Sequence, residues 1–154
     1  MLETPHAVVG AAIAAQIPNP AIAIPLAFAS HFLLDKMPHW NPHLRTELRT
    51  TGKVSNKSTL IIAVDVLIAT ISTLAIAYQA SSNSTHTITI LAAALAAILP
   101  DIVEGPYFFL GIKSKIVEKW LKFQSSIQFD VAPLPGVVIQ ICVVIVALAI
   151  ASYS

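Results

Sequence analysis

At 154 residues the chain has room for one domain, residues 1–154, and 56% of it is hydrophobic against 11% charged. Soluble domains carry about 25% charged residues, so this composition excludes an ordinary water-facing surface and points to a bilayer as solvent. A net charge of +1 offers no broad basic field and excludes nucleic acid as a partner. The one cysteine, Cys142 within IQICVVIVALAI, excludes a disulfide framework and a zinc–thiolate site.

The expected fold class is all-α: a polytopic membrane bundle of about five apolar helices plus one amphipathic interfacial helix. The opening MLETPHAVVG carries Glu3 and no Lys or Arg. It lacks the positive region of a signal peptide, so the first helix is expected to be retained. Thr4-Pro5 predicts the start of that helix, with Thr4 as N-cap and Pro5 at the first helical position. AVVGAAIAAQI follows and stops at Pro18-Asn19-Pro20. About 12 residues reach about 18 Å, too little to cross unaided. A second apolar helix over about 20–36 is expected to bend at Pro25 and end at Pro38. The first two helices therefore read as a hairpin, partly re-entrant.

Residues 38–57 read as a polar loop with Arg45, Arg49, Lys53 and Lys57. The third helix, about 58–79, has spanning length and one acid, Asp65. SSNSTHT is a polar turn. The fourth helix, about 86–101, is alanine-rich and ends at LPDIVEGPYFF. In 112–123, Ile112, Ile116, Trp120 and Phe123 share one face, and Lys115, Lys119 and Lys122 another. That pattern reads as a helix lying in the membrane interface, the alternative being a loop helix packed on the protein. The last helix runs over about 135–152.

All nine Lys and Arg fall between Lys36 and Lys57 or between Lys113 and Lys122. The turns PNP and QASSNSTHT contain none. The positive-inside rule then predicts an inner (cytoplasmic) membrane protein, multi-pass, with its charged loops and N-terminus facing the cytoplasm.

The scarce polar groups gather at that same end. ASHFLLDKMPHWNPH supplies His31, Asp35, His39 and His43. His6 opens the first helix, Asp65 lies about 10 Å into the third, and Asp101 closes the fourth about 22 Å from its far start. Helices alternating in direction bring these ends together. His31 and Asp35, spaced i, i+4, share a face. A carboxylate at such depth costs several kcal/mol unless paired, and every Lys and Arg lies in a loop or at the interface. Histidines and a metal ion remain as partners. His6, His31, Asp35, Asp65 and Asp101 are the candidate ligands, a nitrogen-and-oxygen set suited to zinc first, then manganese or iron. Each has a plainer alternative. His6 can be exposed or capping, and Asp65 can hydrogen-bond a neighbouring helix or orient a histidine. Glu104, at i+3 from Asp101, reads as ligand, base or solvated residue. His39 and His43, beside Trp40, can cover the site or touch lipid headgroups.

At these residues TPHAVVGAAIA, SHFLLDKMPHW and LPDIVEG resemble the YdjM-like membrane-bound metal-dependent hydrolases, over Thr4 to about Tyr107. The match rests on His6 with Gly10, on His31, Asp35 and His39, and on Asp101. The resemblance implies a small integral membrane hydrolase. A His-Arg-Gly-x-Thr-His-Ser segment common in that group is absent here, so His39 and His43 replace it or the ligand set is smaller.

The leading expectation is a metal-dependent hydrolase with its site near the cytoplasmic leaflet, acting on an ester or phosphoester of a lipid-like substrate. Glu104 or His39 would serve as general base, and membrane lipids are the expected partners. Two rivals are a proton- or ion-coupled carrier, in which Asp65 and Asp101 titrate, and an assembly protein whose polar cluster only locks the helices.

Overall fold

The computed structural model describes residues 1–153. Its regular elements are α1 (Glu3–Gln16), α2 (Pro20–Leu34), β1 (Pro38–His39), α3 (Leu44–Thr51), α4 (Asn56–Gln79), α5 (Ser84–Ile102), α6 (Gly105–Phe109), α7 (Lys115–Ile127), β2 (Phe129–Asp130) and α8 (Pro133–Ala151). The all-α expectation holds, with one two-stranded parallel pair in addition, Pro38 opposite Phe129 and His39 opposite Asp130.

Among the described residues three helices, α4, α5 and α8, are long and apolar enough to cross a membrane. Their 24, 19 and 19 residues reach about 28–36 Å, against a hydrocarbon core of about 30 Å. No more than a third of each spanning window is buried inside the protein (28%, 33% and 22%). Leu67, Ile71, Leu95 and Ile145 point outward. Exposed apolar surface on that scale costs about 25 cal/mol per Å² in water and nothing in lipid. The chain is a membrane protein. Three helices of spanning length stand in place of the expected count of about five apolar helices. α1 and α2, of 14 and 15 residues, extend only about 21–23 Å, because Pro18-Asn19-Pro20 divides one apolar stretch into two short helices.

α1 is the centre of the bundle and packs against α2, α4, α5 and α8. Small residues permit this. Ala7, Val8, Ala11, Ala14, Ala23, Ala27, Ala93 and Ala97 form the buried core, where alanine and glycine let backbones approach closely in a medium that gives no hydrophobic drive. A Cβ added to Gly10 would lie 2.7 Å from Ala97 Cβ and 2.8 Å from Ala93 O. α1 and α5 are therefore in near backbone contact.

The start of α1 differs from the expected Thr4 cap. The helix begins at Glu3, and the residue at its cap position, Leu2, supplies no side-chain bond. Asp65 of α4 caps it instead. Its carboxylate accepts from the backbone N–H of Glu3 (2.6 Å) and of Thr4 (3.2 Å), and from Thr4 Oγ1 (2.6 Å). Orphan N–H groups and the positive end of the helix dipole explain the preference for a carboxylate here.

Residues 38–57 are not all loop, since α3 forms within them and ends at Gly52 with φ 75°. The left-handed region is where glycine has no steric penalty. Glu47 of α3 accepts from Ser55 N–H at 2.8 Å and Ser58 Oγ at 2.6 Å, which ties α3 to the first turn of α4. Arg45 Nη1 donates to Ser125 Oγ at 3.1 Å, so the two basic segments of the sequence are neighbours. At the opposite end Gln16 Nε2 donates to the Ile150 carbonyl at 2.8 Å. The ends predicted to coincide do so.

Candidate metal centre

His31 rides the last turn of α2, and Asp35 closes that helix. His6 sits in the second turn of α1, and Asp101 in the last turn of α5. The helix ends meet. One donor atom each from His6, His31 and Asp101 lies within 4.8 Å of the others, a group able to hold a metal ion. Asp35 joins both histidines, with Oδ1 3.3 Å from His6 Nε2 and Oδ2 3.4 Å from His31 Nε2. The Met1 amino group also contacts Asp35 Oδ1. The imidazole rings of His6 and His31 stack with centroids 4.1 Å apart.

The hydrogen bonding tests whether these residues fit a cation. His31 Nδ1 donates to the Ala97 carbonyl at 2.8 Å, which turns Nε2 toward the cluster. Nε2 then faces Asp35 Oδ2 at 3.4 Å, Asp101 Oδ1 at 3.8 Å and Gln124 Oε1 at 3.3 Å. All three are acceptors, so this nitrogen must carry a proton or bind a metal. Both ring nitrogens of His6, Asp35 Oδ2, His39 Nε2, Glu3 Oε2 and Glu104 Oε1 are buried without a hydrogen-bond partner. Native structures leave few such groups, and a cluster of them calls for an ion or water. The donor set fits a hard or borderline divalent cation.

The other sequence candidates fall out differently. Asp65 belongs to the α1 cap described above, which matches its alternative reading as a partner to a neighbouring helix. His39 is fully buried rather than at headgroup level. Its Nδ1 donates to the Met37 carbonyl at 2.8 Å. Burial and the nearby Met1 ammonium push its pKa down, which keeps the ring neutral. His43 is the exposed member of the stretch and pairs with Asp130 at 3.2 Å.

A cavity of about 380 Å³ opens beside the cluster, lined by Glu3, Asp65, Asp101, Glu104, Gln124 and Arg45 among others. Glu104 lies beyond the end of α5, outside the spans. Burial first, then the Asp101 charge, pushes its carboxyl up from 4.5 to about 8. The folded protein thus keeps a proton that the unfolded chain has released. Stability of chelator-treated protein is expected to fall as pH rises from about 4.5 to about 8, then to level off. Glu104→Gln, neutral at every pH, should flatten that slope in unfolding midpoints measured across the range. A slope unchanged in the variant would assign it to another group.

Three contributors were not singled out from sequence. Glu3 sits beside the acids instead of serving only as a first-turn residue. Gln124 donates from Nε2 to Asp101 Oδ1 at 3.0 Å. Gln140 accepts from Leu2 N–H at 2.8 Å and donates to the Trp40 carbonyl at 2.7 Å, fixing the N-terminus and β1 against α8. An amide inside an apolar run, as in IQIC, was the legible signal for Gln140; Gln124 lies on the inward face of an amphipathic helix and carried none. Comparison with protein-family models, with curated proteins and with solved structures finds no match for this chain.

Proposed function

We propose that the protein is a membrane-embedded metal-dependent hydrolase acting on a phosphoester or ester of a lipid-like substrate. The observation that carries this reading is the convergence of His6, His31, Asp35 and Asp101, with both ring nitrogens of His6 and Asp35 Oδ2 buried without a hydrogen-bond partner. His6, His31 and Asp101 would hold the ion, with His31 using Nε2; Asp35 would supply a further carboxylate beside both imidazoles, and zinc suits the set best, ahead of manganese or iron. The metal would supply Lewis acidity and a hydroxide at neutral pH.

The chain's own groups supply the rest. Glu104 lines the cavity and is placed there to donate a proton to, or accept one from, the reacting groups. His39 does not line that cavity. Neutral, with Nε2 unpaired, it stands as a further imidazole within electrostatic reach of Asp35. Arg45 brings a cation to the cavity wall and favours an anionic substrate group. A second cavity of about 590 Å³, lined by Val9, Ile13, Met37, Val143, Val146 and Ile150 among others, offers apolar room beside α1. The adjoining basic segments support a cytoplasmic placement of this end in a bacterial-type inner membrane.

Elemental analysis of the purified protein tests the reading. About one equivalent of transition metal is expected, lost in the His31→Ala/Asp101→Ala double variant together with turnover of short-chain phospholipid esters. Wild-type protein that contains no metal, and takes up none on zinc titration, would refute it.

A further inference from the structure

α7 has three faces. Val117, Trp120, Leu121 and Gln124 recur at helical spacing and turn toward the bundle. Trp120 Nε1 donates to the Pro100 carbonyl at 3.0 Å, and the Phe32 ring meets Trp120 and Phe123. Lys115, Lys119 and Lys122 are exposed on the far side, and Ile116 and Phe123 are exposed between the two. A helix with exposed lysine and apolar rows belongs at a membrane surface. Yet its Gln124 is only 2% exposed, and burying an amide is unfavourable unless its bonds are made.

Those bonds go to the cation cluster. Nε2 donates to Asp101 Oδ1 at 3.0 Å, and Oε1 lies 3.3 Å from His31 Nε2. The Gln124 amide also interacts with the Glu104 carboxyl. One side chain from a surface helix therefore touches two of the three groups that can hold a metal. The other contacts of α7 with the core are the Trp120 bond and apolar packing, which meets His31 indirectly, through the Phe32 ring set edge-on to the imidazole at 5.2 Å.

We propose that Gln124 is a positioning residue through which the seating of α7 and cation binding stabilise each other. This rests on the cation-binding reading above. The amide donates to Asp101 and holds an oxygen beside His31 Nε2; a cation that replaces the proton on that nitrogen would take this oxygen as a further ligand, which in turn keeps the amide in place. Such coupling is reciprocal by linkage. Groups that orient metal ligands are typically worth about 10–100-fold in affinity.

The test uses full-length protein in lipid nanodiscs, titrated with zinc. Hydrogen exchange across residues 115–127 should slow on zinc addition in the wild type. Gln124→Leu should bind zinc about 10–100-fold more weakly and lose that slowing, with exchange in α4 and α8 unchanged. Gln124→Glu, which keeps an oxygen toward His31, should recover most of the affinity. Zinc affinity of Gln124→Leu within about twofold of wild type, or wild-type α7 exchange insensitive to bound zinc, overturns the proposal while leaving the metal site standing. If Gln124→Leu does not fold, the wild-type exchange result and Gln124→Glu still decide. Wild-type protein that binds no zinc at all sinks both this proposal and the hydrolase reading.

Discussion

Asp35→Ala is expected to cost about 3–5 kcal/mol, the usual loss when one partner is removed from a buried ionic group. Asp35 is fully buried and touches His6, His31 and the Met1 amino group at once. Its backbone carbonyl also accepts from Phe129 N–H at 3.0 Å, so α2 and the β2 segment meet at this residue. Alanine removes the carboxylate that two imidazoles and an ammonium share. Unfolding in mild detergent should show the loss as a lowered midpoint or a failure to recover folded protein. Asp35→Asn keeps the volume and one acceptor, and should fall between the two. Wild-type stability and wild-type zinc affinity in Asp35→Ala would remove Asp35 from the centre.

Gly10→Val should disturb the site from a distance. The added Cβ meets Ala97 Cβ at 2.7 Å and the Ala93 carbonyl at 2.8 Å, and one of those atoms is backbone that cannot rotate away. α1 must move from α5. His6 lies one turn before Gly10, and His31 bonds the Ala97 carbonyl on the facing helix. Separation of the two helices therefore pulls His6 from Asp101, while the Ala97 bond keeps His31 with α5. Overpacking of this kind costs about 1–3 kcal/mol, and zinc affinity should fall with it. Gly10→Ala should show the smaller form of the same effect. A Gly10→Val protein as stable as wild type, with unchanged zinc binding, would show that α1 and α5 tolerate the separation.

The residues of the cluster were legible because burial of charge in a membrane is costly. A chain with few polar groups places them at helix ends for a reason, and alternating helices bring alternate ends together. His6, His31, Asp35 and Asp101 could be read that way before any coordinates. Asp65 could not be separated from them. Its depth matches theirs, and depth does not say which way a side chain turns. The first N–H groups of α1 and the Thr4 hydroxyl decide that, by capturing both of its oxygens. His39 was placed in a loop beside Trp40. Pairing of β1 with β2, and the close approach of Gly136 to Trp40, draw it inward. Neither contact has a local signature.

The sequence by itself determined the solvent, the helical class and the shared end of the polar residues. These follow from composition, period and the cost of charge in lipid, which are local or additive properties. Tertiary structure alone decided that the short α1 fills the centre of the bundle, that Asp65 caps α1, and that Gln124 of the surface helix reaches His31 and Asp101. Each depends on which face of one helix meets another. In lipid that is set by close packing of small residues and by orphan hydrogen-bonding groups finding partners, and both require neighbours distant in the chain.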